Sequence, residues 1–149
     1  MISTFDTNVL VYATGPAKDA KSRRARDIVA RGMRAGTSVL LVQALAEFSY
    51  VTIRKMGMPV GAVRSIVEAW AAVLPVHAAE EDDLLFALAA VEAHGLAFWD
   101  AMLWGAARRV GVRYLVTEDL QDGRVLDGVR FINPFDPAND AAVEEVLPP

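Results

Sequence analysis

The sequence contains no cysteine. Disulfide stapling, thiolate zinc or iron–sulfur centres and a cysteine nucleophile are therefore excluded. Histidine is nearly as scarce: His77 and His94 are the only two, and they lack ligand spacing. Any bound metal must rely chiefly on oxygen ligands. No Ser, His and Asp grouping suggests acyl transfer. Long apolar runs are missing too. The most apolar stretch, Met58 to Val76, carries Arg64, Glu68 and two prolines, which is poor for a membrane span. The first apolar run, Met1 to Phe5, meets Asp6 before it can form the centre of an export signal. The expectation is a cytoplasmic protein with no membrane contact.

What is present is enough for one folded unit. The chain has 149 residues, 54% hydrophobic and 23% charged, so it can bury a full core. Its formal charge of -4 argues against attraction of nucleic acid by the whole surface and leaves room only for a local basic patch.

Short apolar segments alternate with helical patterns. Strands are expected at Ile2–Phe5, Ser38–Val42, Leu74–His77, Arg113–Thr117 and Val129–Ile132. Helices are expected at Thr7–Tyr12, Lys18–Arg34, Gln43–Met56, Val60–Val73, Glu80–Val91 and Phe98–Val110, with Glu118–Gly123 as a turn. This alternation indicates an α/β sandwich around a mainly parallel sheet. In such sheets, ligands collect beyond the carboxyl ends of the strands. The acidic, proline-bounded stretch after Phe135 reads as a partly mobile tail.

Four carboxylates stand among apolar neighbours: Asp6 after Phe5, Glu47 within ALAEFSY, Asp100 within AFWDAMLW and Asp119 after YLVTE. Taken singly, Asp6, Asp100 and Asp119 also read as helix caps or turn residues. Glu47 lies in mid-helix and needs a partner if buried, and Arg54, seven positions on, offers a salt bridge. If the four converge, mutual repulsion raises their pKa values unless a cation sits among them. Mg2+ or Mn2+ suits such an oxygen set, and a carboxylate-held ion beside a phosphate suits hydrolysis.

The ordered segments FDTNVLVY, QALAEF, FWDAMLWGAA, YLVTEDLQDG and FINPF resemble the PIN-domain ribonucleases, and within them the VapC-type toxins of bacterial toxin–antitoxin pairs. The likeness runs from Met1 to about Phe135. It implies a three-layer α/β/α sandwich with an acidic pocket at one end of the sheet, formed by a PIN-like nuclease domain over 1–135 with an acidic tail over 136–149. It further implies a Mg2+-dependent endoribonuclease that leaves 5'-phosphate and 3'-hydroxyl ends. Asp6 and Asp100 would be the principal metal ligands, and Glu47 would complete the shell directly or through water. Asp119 would ligate a second ion or orient the water, with Asp122 as second choice for that position and Glu118 turned away. Asn8 and Thr117 match supporting polar positions that orient ligands. The expected partners are RNA, a cognate antitoxin whose tail enters the groove, and a second copy of the chain held through the Gln43–Val73 hairpin.

Seven cations lie between Lys18 and Arg34. They read first as a solvated face, with Arg23, Arg24 and Arg26 as candidate RNA contacts. Arg108, Arg109 and Arg113 are a second basic group. Trp99 and Trp104 read as core or dimer packing before base stacking. Other classes fit less well. A haloacid-dehalogenase-like phosphatase needs a second Asp where Asn8 stands, and a phospho-accepting receiver needs a Lys near the last strand, whereas the lysines are Lys18, Lys21 and Lys55. A catalytically inactive PIN-like binding module is the remaining alternative.

Overall fold

The computed structural model describes residues 2–149, so Met1 lies outside the described residues. The chain runs β1 (Ser3–Phe5), α1 (Thr7–Ala13), α2 (Ala20–Ala35), β2 (Leu40–Leu41), α3 (Val42–Arg54), α4 (Val60–Ala71), β3 (Val76–His77), α5 (Glu81–His94), α6 (Phe98–Arg109), β4 (Tyr114–Val116), β5 (Val125–Leu126), β6 (Val129–Ile132), a 3-10 turn (Pro137–Asn139) and α7 (Asp140–Val146). The main sheet has the order β1-β4-β6-β5, and β2 pairs with β3 in a second, parallel ribbon. A bridge between Ser3 and Ser38 joins the two, reinforced by Thr4 Oγ1 donating to Val39 O at 2.9 Å. Only β5 runs antiparallel, against β6. Helices on both faces complete the expected α/β/α sandwich.

The strands are short, and β1 and β2 with most of β4 and β6 are buried, which is why they read as continuous apolar runs. Phe5, Leu115 and Phe131 have no exposed surface. With Phe48, Leu10 and Ile28 from the helices they fill the core. The in-register pairs Phe5↔Val116 and Val116↔Ile132 set the carboxyl ends of β1, β4 and β6 along one edge. The residues that follow β1 and β4 are thereby brought together, whatever their distance in sequence.

Asp100 lies on α6, whose position is set by its packing on α5. α6 lies against α5 at close range because Gly105 has no side chain: a Cβ there would stand 3.0 Å from Asp83 O. Asp83 is buried and closes the capping box of α5 by accepting from Glu80 N at 2.8 Å. Its charge is met by Arg109, whose Nε donates to both carboxylate oxygens at 3.0 Å. The basic end of α6 is thus fastened to the acidic start of α5.

The fold departs from the sequence reading at three places. β5 is a strand that the sequence reading omits, turned into β6 by Asp127 and Gly128, both at positive φ (45° and 81°). That pair is a type I′ hairpin turn. The segment after Phe135 is no mobile tail: Val143, Val146 and Leu147 are buried, and Arg24 binds Asp140 across to α2 at 2.6 Å. Its apolar spacing is enough to dock a short helix. Finally, β2 and β3 are shorter than expected, because Leu40 and Leu41 pair only with Val76 and His77. No described helix is long and apolar enough to cross a membrane.

Candidate active site

Asp6 sits where β1 becomes α1. Its backbone N donates to Val116 O at 3.0 Å, one more rung on the β1–β4 pairing. Its side chain caps α1 by accepting from Thr7 N at 2.6 Å and accepts at 2.7 Å from Thr117 Oγ1 on the other oxygen. The cap reading and the site reading of Asp6 therefore hold at once. Thr117 follows β4 and is buried; its Oγ1 also accepts from Asp119 N at 3.1 Å. One hydroxyl thus fixes the carboxylate of Asp6 and the backbone of Asp119. Asn8, in the first turn of α1, donates to the Asp119 carboxylate.

Glu47 projects from α3 and is half-buried. It accepts from Gln43 Nε2 at 2.8 Å and from Thr7 Oγ1 at 3.3 Å. The Arg54 salt bridge weighed from the sequence does not form: Arg54 is exposed and has no ion-pair partner among the described residues. Asp100 lies in the first turn of α6, capped by Ala97 rather than by Asp100 itself, where the helix dipole favours its negative charge.

The four carboxylates feel one another. Burial pushes Asp6 up to about 6, against the hydrogen bonds from Thr117 and Thr7 N, with repulsion from Asp119 and Asp100 adding to the rise. Asp100 is also raised, first by burial and then by Asp119 and Glu47. Among the described residues, no lysine, arginine or histidine forms an ion pair with any of the four. The result is uncompensated negative charge at the carboxyl edge of a parallel sheet.

This donor set suits a hard divalent cation in its chemistry: four carboxylates, no thiolate and no cationic neighbour. Among the described residues no group of three or more His, Asp or Glu is disposed to hold an ion as it stands, because Asp119 is turned to Asn8 and Glu47 to Gln43 and Thr7.

The remaining acids of the last motif point elsewhere. Asp122 accepts from Asn133 N at 2.7 Å and from Asn139 Nδ2 at 3.0 Å, which commits it to holding the chain after β6. Glu118 turns away from the site, yet it does not reach solvent as a free group. It pairs with Lys21 at 2.5 Å, and Lys21 also lies 4.9 Å from the Tyr12 ring and 5.0 Å from the Phe135 ring. That buttress between α2 and the β4 loop has no signal in the local sequence.

The candidate phosphate-binding arginines spend hydrogen bonds on the chain itself, although Arg23 and Arg26 stay exposed. Arg23 donates to the carbonyls of Ala17 and Lys18 at 2.9 Å. Arg24 donates to Pro134 O at 3.1 Å as well as to Asp140, and Arg26 to Ala13 O and Gly15 O at 3.3 and 2.6 Å. Of the second basic group, Arg109 is bound to Asp83 and Arg108 pairs with Asp127 at 3.1 Å.

Four solved toxin and toxin–antitoxin structures share the fold. The chain is similar to the Mycobacterium tuberculosis toxin VapC20, described as cleaving the sarcin–ricin loop, at 19% identity and a TM-score of 0.62, over 78% of this chain and 89% of that one. It is similar to a toxin–antitoxin complex from Klebsiella pneumoniae at 18% identity and a TM-score of 0.65, over 90% and 98% of the two chains. It is also similar to VapBC2 from Rickettsia felis, bound to a DNA fragment from its promoter, at 16% identity and a TM-score of 0.63, over 88% and 97%. No curated protein sequence matches it. The sequence profile of the PIN domain matches residues 4–125, a span that holds Asp6, Glu47, Asp100 and Asp119, and the chain belongs to the PIN-domain family.

Proposed function

We propose that this protein is a Mg2+- or Mn2+-dependent endoribonuclease, the toxin of a toxin–antitoxin pair. The observation that carries the proposal is the convergence of Asp6, Glu47, Asp100 and Asp119 on one sheet edge with no cation of the protein's own to neutralise them. Asp6 and Asp100 are the principal ligands, Glu47 completes the set, and Asp119 rather than Asp122 serves the far side. When bound, the ion supplies positive charge for a phosphoryl oxygen and acidifies water for in-line attack.

The protein's own groups hold and orient. Thr117 and Thr7 N fix the two oxygens of Asp6, and Asn8 fixes Asp119. Asp119 is the most exposed of the four, which suits a group that positions water. Arg23, Arg24 and Arg26 contact RNA phosphates only through the guanidinium hydrogens that their internal bonds leave over.

The likeness to toxin–antitoxin complexes supports an antitoxin that occupies the acidic groove. A homodimer has apolar surface to use: Tyr50, Val60 and Val73 of the expected hairpin are exposed, as are Leu84, Leu85 and Leu88 on α5.

The test is cleavage of labelled total RNA by the purified protein with Mg2+, with Mn2+ and with EDTA, beside Asp6→Asn. Metal-dependent cuts that vanish in the variant, at an unchanged circular dichroism spectrum, support the reading. Equal inactivity in every arm leaves the inactive binding module.

A further inference from the structure

Beside the acidic edge lies a groove of about 550 Å3 whose walls include Val42, Ala46, Trp99 and Met102, with Gln43 and Glu47 as its polar members. The volume falls within the range of about 300–1,000 Å3 usual for small-ligand sites. Glu47 belongs both to this groove and to the acidic cluster, so an occupant of the groove is continuous with whatever reacts at the carboxylates. No lysine or arginine lines it, which makes it unsuited to a phosphate and suited to a neutral, flat, apolar-faced group.

The tryptophans divide sharply. Trp104 is 2% exposed and donates its indole N–H to Leu126 O at 3.2 Å. Trp70 packs on Phe48 with ring centres 5.0 Å apart. Trp99 is 62% exposed, immediately before Asp100, and is braced edge-on by Phe98 at 5.1 Å and 71°. Its backbone is fixed as well, since Gln43 Nε2 donates to Trp99 O at 2.9 Å and to Glu47 at once. Those two acceptors set the orientation of the Gln43 amide, and its Oε1 is left buried in the groove wall with no donor.

We infer that this groove holds one unpaired base of the RNA next to the reacting phosphate, stacked on Trp99. The inference rests on the nuclease reading and adds to it a determinant of substrate choice. A single-stranded base presents the flat face that an exposed indole binds. Duplex RNA keeps its bases stacked and has nothing to place there.

The experiment uses the Asp6→Asn protein to follow binding without cleavage, and the wild-type background to follow turnover. Tryptophan emission should be quenched by a single-stranded RNA 12-mer and much less by an abasic strand of the same length. Trp99→Phe should remove most of the quench while keeping KM near the wild-type value, because a ring remains. Trp99→Ala should raise KM by about 5- to 150-fold, the loss of one base–aromatic stack, with kcat changed far less.

Equal binding of the abasic strand, or an unchanged KM for Trp99→Ala in an active enzyme, overturns the inference and leaves the nuclease standing. An unchanged KM together with loss of the dimer or of the antitoxin complex in sedimentation assigns the groove to a protein contact instead. A wild-type protein that neither binds nor cuts RNA overturns the nuclease reading itself, and this inference with it.

Discussion

Thr117 donates its hydroxyl hydrogen to Asp6 at 2.7 Å while the same oxygen receives the amide of Asp119 at 3.1 Å. Two acids 113 positions apart in the chain are thus tied by one buried hydroxyl, just beyond the ends of neighbouring parallel strands. Replacing it with an isosteric methyl keeps the packing and removes both bonds. Thr117→Val should lower kcat by about 10- to 100-fold, as for other groups that orient metal ligands. The hydrogen bond holds the Asp6 pKa down, so its loss should also move the acid limb of the pH–rate profile upward. An unshifted profile with full activity would show that the threonine only fills space.

Asp6 is ionised at neutral pH against its burial and its acidic neighbours. Its folded pKa of about 6 stands above the usual 3.8. The folded state therefore holds this proton more tightly than the unfolded chain does. The stability it contributes is fully present below about pH 4 and is lost as pH rises through 6. In metal-free protein, Asp6→Asn should raise stability at pH 7 by roughly 1–3 kcal/mol and flatten the dependence between pH 4 and 6. Denaturant melts at both pH values check this. Mg2+ should raise the Tm of the wild type and not that of the variant; a wild-type Tm indifferent to Mg2+ and Mn2+ would count against Asp6 as a ligand.

Arg109 answers the buried charge of Asp83 and reaches Glu80 at 2.9 Å and Ala78 O at 2.6 Å. Arg109→Met leaves Asp83 buried without its cation, and the cost should be about 3–5 kcal/mol. Adding Asp83→Asn should restore much of it, since no charge then remains to be met. Urea melts of the single and double variants form the cycle that decides the matter. Independent, additive losses would mean the two residues do not act together.

Arg24 and Arg26 separate two roles. Arg24→Glu with Arg26→Glu should destabilise the protein by about 1–2 kcal/mol, because carbonyl contacts and a partly exposed ion pair are lost. It should also raise KM for RNA modestly and reduce the salt dependence of binding. A KM unchanged under conditions where the variant is fully folded returns these arginines to a purely structural role.

Much of the architecture is legible in local pattern. Buried parallel strands are apolar runs broken by polar residues, so FDTN and the segment LVTE mark strand ends without any structure. The hairpin at Asp127–Gly128 was equally readable, since that dipeptide between VL and VRFI demands two positive φ values. Other features had no local trace. The pairing of Glu118 with Lys21, of Arg109 with Asp83 and of Arg24 with Asp140 joins residues 97, 26 and 116 positions apart, and long charged side chains reach too many places for spacing to select one.

The sequence by itself determined the elements other than β5 and α7, the acidic residues that interrupt them and the family, because periodicity and the placing of charge beside apolar runs are properties of neighbours. Only the tertiary structure decided that Asp122 serves the segment after β6 while Asp119 faces the other acids, that Trp104 is buried while Trp99 is bare, and that the final helix docks. Those outcomes depend on which surfaces meet when the sheet aligns its strand ends, and burial is a property of the assembled whole.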